Sequence, residues 1–117
     1  MVRRGMVFGV FDGLHEGHRF FLSEAAKQCE ELVVVVAHPE VVQLLKNRLP
    51  KNSLEERMDA VRRFNDSYLV VVGDTTLHRW SHLRNSAPQM IFLGHDQQEL
   101  AEALAKLGLP YTFIARI

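Results

Sequence analysis
Residues 9–18 read Gly9-Val10-Phe11-Asp12-Gly13-Leu14-His15-Glu16-Gly17-His18, and how this stretch folds decides the rest. The apolar run Met6 to Phe11 leads into it and reads as a buried strand. Beyond it, Phe20, Phe21, Ala25 and Leu32 recur at helical spacing and predict a helix from about Gly17 to Glu31. The stretch is thus a strand that turns through glycine into a helix. Glycine lets a backbone turn tightly and come close to a ligand. His15 and His18, three residues apart at the helix start, project toward one face. A helix N-terminus carries unpaired N–H groups and a partial positive charge. The expected guest is therefore a phosphate, met by bare amides and two imidazoles.

Outward from this turn the same alternation continues. Leu32 to Ala37, Leu69 to Val72, Met90 to Leu93 and Tyr111 to Ile114 read as four further strands. Their apolar runs are continuous, which implies a sheet covered on both faces. Ser53 and Glu56 form a capping box before a helix with Leu54, Met58, Val61 and Phe64 on one side. Thr76 to Asn85, with Leu77, Trp80 and Leu83, predicts the next helix. Gln97 to Leu107, stopped by Gly108 and Pro110, predicts the last. Pro39 to Asn52 is the least regular stretch; with Lys46, Arg48 and Lys51 it reads as a flap. The expected fold class is α/β: a Rossmann-like, parallel five-stranded sheet with helices on both faces, as one domain over residues 1–117. In such sheets ligands sit beyond the carboxyl ends of the strands. Those ends carry Phe11-Asp12, His38, Gly73-Asp74, Gly94-His95-Asp96 and Ala115-Arg116.

Residues 9–18 resemble the HxGH nucleotidyltransferase superfamily, and within it the cytidylyltransferase-like family. Its pattern G-x-F-D-x-x-H-x-G-H is met by Gly9, Phe11, Asp12, His15, Gly17 and His18. Lys46, the Ser53-to-Arg57 segment, Gly94-His95-Asp96 and Phe113-to-Ile117 extend the likeness; the last looks like the start of a closing R-T-x-G-I-S-T signature. The resemblance implies that a phosphate oxygen of an acceptor attacks the α-phosphorus of a nucleoside triphosphate, in line, and that pyrophosphate leaves. It implies His15, His18, Lys46 and Arg57 as catalytic residues. It implies Gly9, Val10, Phe11, Asp12, Gly17, Gly94, Asp96 and Arg116 as nucleotide-binding residues. Mg²⁺ would arrive with the triphosphate. The leading expectation is transfer of CMP from CTP to a small phosphorylated alcohol such as glycerol 3-phosphate, with CTP favoured over ATP. Gly13 leaves an adenylyltransferase of the FAD synthetase type as the alternative. The incomplete closing signature leaves a non-catalytic nucleotide-binding module as another. The resemblance also implies a homodimer.

Bulk properties set the outer bounds. Fourteen basic residues balance fourteen acidic ones in 117, so nothing marks a nucleic-acid or membrane surface. No apolar stretch is long enough to span a bilayer, and the run after Arg3 and Arg4 is too short for a secretory leader. The single cysteine, Cys29, is expected on the first helix as a core or boundary thiol, which suits the cytoplasm. Two histidines and Asp12 lack a third strong ligand at suitable spacing, so no protein-held metal is expected. Asp74 and Asp96 read as helix caps, and Trp80 as a core or dimer contact.

Overall fold
A computed structural model describes residues 2–77 and 79–108 and the backbone of 113–116. In chain order the elements are β1 (Val2–Gly9), α1 (Glu16–Ala26), β2 (Cys29–Val36), α2 (Pro39–Lys46), α3 (Leu54–Phe64) and β3 (Leu69–Val72). Then come α4 (Ser81–Ser86), β4 (Met90–Leu93), α5 (Gln98–Ala105) and β5 (Phe113–Arg116). The strands form one parallel sheet in the order β3-β2-β1-β4-β5. Side chains alternate across it as the strand period requires. Val7, Val34, Val36 and Phe92 point to the face covered by Leu22 and Ala25 of α1 and by Met58 and Val61 of α3. Met6, Val33, Val35, Ile91 and Leu93 point to the face covered by Leu83 of α4 and Leu104 of α5. Both faces are dry, so unbroken valine runs can serve as strands here.

Several elements differ from the sequence expectation. Cys29 is not helical: it opens β2, paired in register with Val2. Glu31, also expected in the helix, lies opposite Arg4 and bonds its Nε at 2.5 Å. Pairing with β1 outweighs local helical spacing. Phe20, expected in the core, is exposed. Residues 39–46 form a regular helix rather than an irregular flap. The signals lay in the sequence: Pro39 at N1, His38 as N-cap, and Asn47 in the left-handed region at φ 54°. α4 begins only at Ser81, because Trp80 takes φ 60° and breaks the predicted run. β5 runs to Arg116, two residues past the predicted end at Ile114. Tyr111, Pro110 and His78 fall outside the described residues, as does the side chain of Arg116.

Candidate active site
The exit from β1 is shaped by one aromatic ring. Phe11 sits in the left-handed region at φ 52° and is buried. Its ring lies so close over the strand end that a Cβ on Gly9 would stand 2.6 Å from Phe11 Cζ. A non-glycine residue held in that conformation signals a turn imposed by its surroundings. It carries the chain into the α1 N-cap, His15.

There the structure shows why H-x-G-H needs its glycine. The His15 ring folds back on the helix, and Nδ1 accepts from Gly17 N at 3.1 Å and His18 N at 3.4 Å. A Cβ on Gly17 would lie 3.0 Å from His15 Cε1. In return His15 N donates to Nδ1 of His18 at 3.4 Å, closing a capping box made of two imidazoles. The rings stack, with centroids 3.8 Å apart and planes 20° from parallel. His15 Nδ1 accepts from two amides, so its neutral ring carries the proton on the distal Nε2. The His18 pKa lies below the usual histidine value, first because of burial, then because of the neighbouring His15. The Gly13 carbonyl and Asp96 oppose the shift, and Lys46 adds to it. The expectation of bare amides is therefore corrected. Gly17 and His18 amides are already capped by the His15 ring. Amides that polarise Nδ1 strengthen donation from Nε2.

Asp12 and Arg57 hold this turn in place. The Asp12 carboxylate accepts from Lys51 N (2.8 Å), Asn52 N (2.9 Å) and Asn52 Nδ2 (2.9 Å), tying the α2–α3 loop to the end of β1. Burial works to raise its pKa. The hydrogen bonds from Lys51 and Asn52 and the Arg57 charge outweigh that, and the pKa ends below the ordinary carboxylate value. Arg57, expected to grip phosphates, is 1% exposed. Its guanidinium donates to three carbonyls: Val10 O at 3.0 Å, Ala37 O at 2.9 Å and Asn52 O at 3.2 Å. It does not line the groove. From α3 the planar fork reaches the ends of β1 and β2 from beneath, through Nε and Nη1, while its buried Nη2 has no hydrogen-bond partner among the described residues.

The groove itself, about 1250 Å³, runs across the carboxyl ends of β1 to β4. Gly9, Val10, Phe11, Asp12, His15, Gly17, His18, Lys46, Gly94 and Asp96 all line it. Sequence reasoning did not single out Arg79 or Gln97, which line it too. The strand order reverses between β1 and β4, which run parallel and pair through Gly5 with Met90 and Met6 with Ile91. Above that point the Gln97 side chain bridges the two strands. It accepts from Gly94 N at 2.9 Å and donates to Phe8 O at 2.8 Å. Nothing local in the sequence marks this long-range contact. Asp96 is not the α5 cap; Gln97 takes that position, and the Asp96 carboxylate is left in the groove within electrostatic reach of His18. Asp74 does receive a helix-start amide, Ser81 N at 2.9 Å, although in α4 rather than at Thr76. Trp80 packs edge-on to Phe8, with centroids 5.6 Å apart. Among the described residues no three His, Cys, Asp or Glu side chains cluster as a metal site. No helix among them is long and apolar enough to cross a membrane.

A parallel sheet whose first strand feeds an H-x-G-H helix start, under a groove at the topological switch, defines a nucleotide-binding α/β protein of the nucleotidyltransferase kind. The chain belongs to the cytidylyltransferase-like family, whose pattern matches residues 6–110; it is a nucleotidyltransferase. It is 37% identical over 110 residues to a FAD synthase of Thermococcus onnurineus, covering 91% of this chain and 73% of that protein. It is 38% identical to a FAD synthase of Pyrococcus abyssi, covering 91% and 74%. Among solved structures, a lipopolysaccharide core biosynthesis protein from Thermoplasma volcanium superposes with a TM-score of 0.83 at 30% identity. That match covers 100% of this chain and 97% of the other. The relatives' names overturn the expected transfer of CMP to a small phosphorylated alcohol.

Proposed function
We propose that this chain, as one domain, is an adenylyltransferase that joins AMP from ATP to the phosphate of FMN, forming FAD and pyrophosphate. The observation that carries the reading is the similarity to FAD synthases over nine-tenths of the chain, which spans the stacked His15–His18 turn. An FMN phosphate oxygen attacks the α-phosphorus of ATP. One P–O bond forms, the bond to the β-phosphate bridge breaks, and its electron pair leaves with pyrophosphate. The acceptor phosphate is already ionised near neutral pH, so no strong base is required. The work is positioning and charge stabilisation. Nε2–H of His15 and His18 would donate to phosphoryl oxygens as charge develops. Lys46, at the end of α2, would meet the phosphates as a point charge. Gly9, Val10, Phe11 and Gly17 shape the turn, and Gly94 and Asp96 border the nucleoside side. Arg57 and Asp12 serve as positioning residues. Mg²⁺ bound to the triphosphate would neutralise its charge and keep waters and phosphate oxygens as its ligands.

The test is incubation with FMN and MgATP, with FAD followed by chromatography and pyrophosphate by a coupled assay. FAD formed with ATP and not with CTP supports the reading. Pyrophosphate release with CTP, or none from ATP and FMN, overturns it. His15→Ala is expected to lower kcat by about a hundredfold or more, the loss typical of one well-aimed donor.

A further inference from the structure
Several large apolar side chains are exposed among the described residues, but only Phe20 (61%) and Leu45 (56%) line the groove. Phe20 lies two residues beyond His18 on α1, and Leu45 immediately precedes Lys46 on α2. Phe21 and Val41, partly buried, also line the groove, with Phe21 beside Gly94. Three cations, Lys46 at the end of α2 and Arg48 and Lys51 in the loop after it, also line the groove, Lys46 within electrostatic reach of His18. The other end, at β4 and α5, is bordered instead by Asp96, Gln97 and Glu99. A phenylalanine left in water beside a phosphate site adds nothing to folding. It becomes useful when a ligand covers it, since an aromatic side chain buries about 150–250 Å² and prefers to stack against another ring system.

We infer that Phe20 and Leu45 form the seat for the flat, apolar ring system of the acceptor, while the cations of α2 and the loop after it hold the acceptor's phosphate. The inference rests on the adenylyltransferase reading and assigns the acceptor half of the groove within it. Charge complementarity selects the occupant. An acceptor with an isoalloxazine ring at one end and a dianionic phosphate at the other meets both the apolar wall and the basic edge. A glycerol phosphate would satisfy only the cations and leave Phe20 and Leu45 wet.

The experiment compares wild type with Phe20→Ser, Leu45→Ser and Leu44→Ser. Leu44 is as exposed as these two but lies outside the groove. All three substitutions replace exposed side chains, and matching thermal melts verify that each folds. KM is measured separately for FMN and for ATP, with FMN binding also followed by flavin fluorescence in the absence of ATP. Losing one stacked or buried apolar group is expected to raise KM and Kd for FMN by about tenfold or more. KM for ATP should stay within twofold, and Leu44→Ser should change neither. Unchanged FMN constants in Phe20→Ser and Leu45→Ser, with FAD still formed, overturn the seat but leave the adenylyltransferase reading standing. A wild type that forms no FAD from FMN and ATP overturns both. A dimer-to-monomer shift in sedimentation by Phe20→Ser or Leu45→Ser, without a change in FMN binding, reassigns the patch to a partner subunit and also overturns the seat.

Discussion
Replacing Gly17 by alanine should separate stability from chemistry at the H-x-G-H turn. The new Cβ would stand 3.0 Å from Cε1 and 3.2 Å from Nδ1 of His15, so the ring must give by a few tenths of an ångström. That ring caps the amides of Gly17 and His18, and losing such a cap costs about 1 kcal/mol. Gly17 lies within α1, and Gly→Ala in a helix returns about 1 kcal/mol. The two nearly cancel. A residual of about 1 kcal/mol shifts Tm by only a few degrees in a domain of this size. Activity has no such compensation, because a displaced His15 also unstacks from His18. One misaimed donor is expected to lower kcat by about a hundredfold. The assay pairs a thermal melt with FAD formation under saturating FMN and ATP. Wild-type turnover in Gly17→Ala, or a stability loss above about 3 kcal/mol, would refute the argument that this glycine exists to seat the His15 ring.

Three other outcomes follow from the same geometry. Arg57→Lys should destabilise by about 3 kcal/mol or more, since a single ammonium cannot serve Val10 O, Ala37 O and Asn52 O together and carbonyls are left unpaired. Chemical denaturation reads this, and a near-neutral result would return Arg57 to the list of ligand contacts. Gln97→Ala removes the bridge between Phe8 O and Gly94 N. It should cost about 2 kcal/mol at about 1 kcal/mol per bond and raise KM for the nucleotide; unchanged constants would mean that the bridge does not set the crevice. Acidification should weaken the fold in two stages. Burial and His15 depress the His18 pKa, so the folded chain binds fewer protons there than the unfolded chain. That stability is complete above about pH 6.5 and is lost as pH falls through the folded-state value. Asp12 follows the same sign lower down, complete above about pH 3.9 and lost below. Tm measured against pH, with His18→Gln to flatten the upper stage, checks both; a Tm that rises on acidification from pH 7 to 5 would contradict them.

The sequence by itself determined the parallel α/β class and the strand-to-helix turn at residues 9–18. Valine runs such as Leu32 to Ala37 need cover on both faces, and Gly9 to His18 names a strand that turns into a helix. Both are local properties, legible from composition and spacing over a few residues. The tertiary structure decided what required distant partners. Cys29 joins a strand because Val2 stands opposite it. Arg57 is spent on carbonyls from positions up to 47 residues away. Gln97 crosses 89 residues of sequence to reach Phe8. α2 was missed although its caps were visible, because only Val42 of its apolar residues is buried, so it lacks the deep apolar face that marks a helix in sequence. Base and acceptor were beyond the motif for the same reason: the groove's other lining residues, such as Lys46, Arg79 and Gln97, are gathered beside it only by the fold.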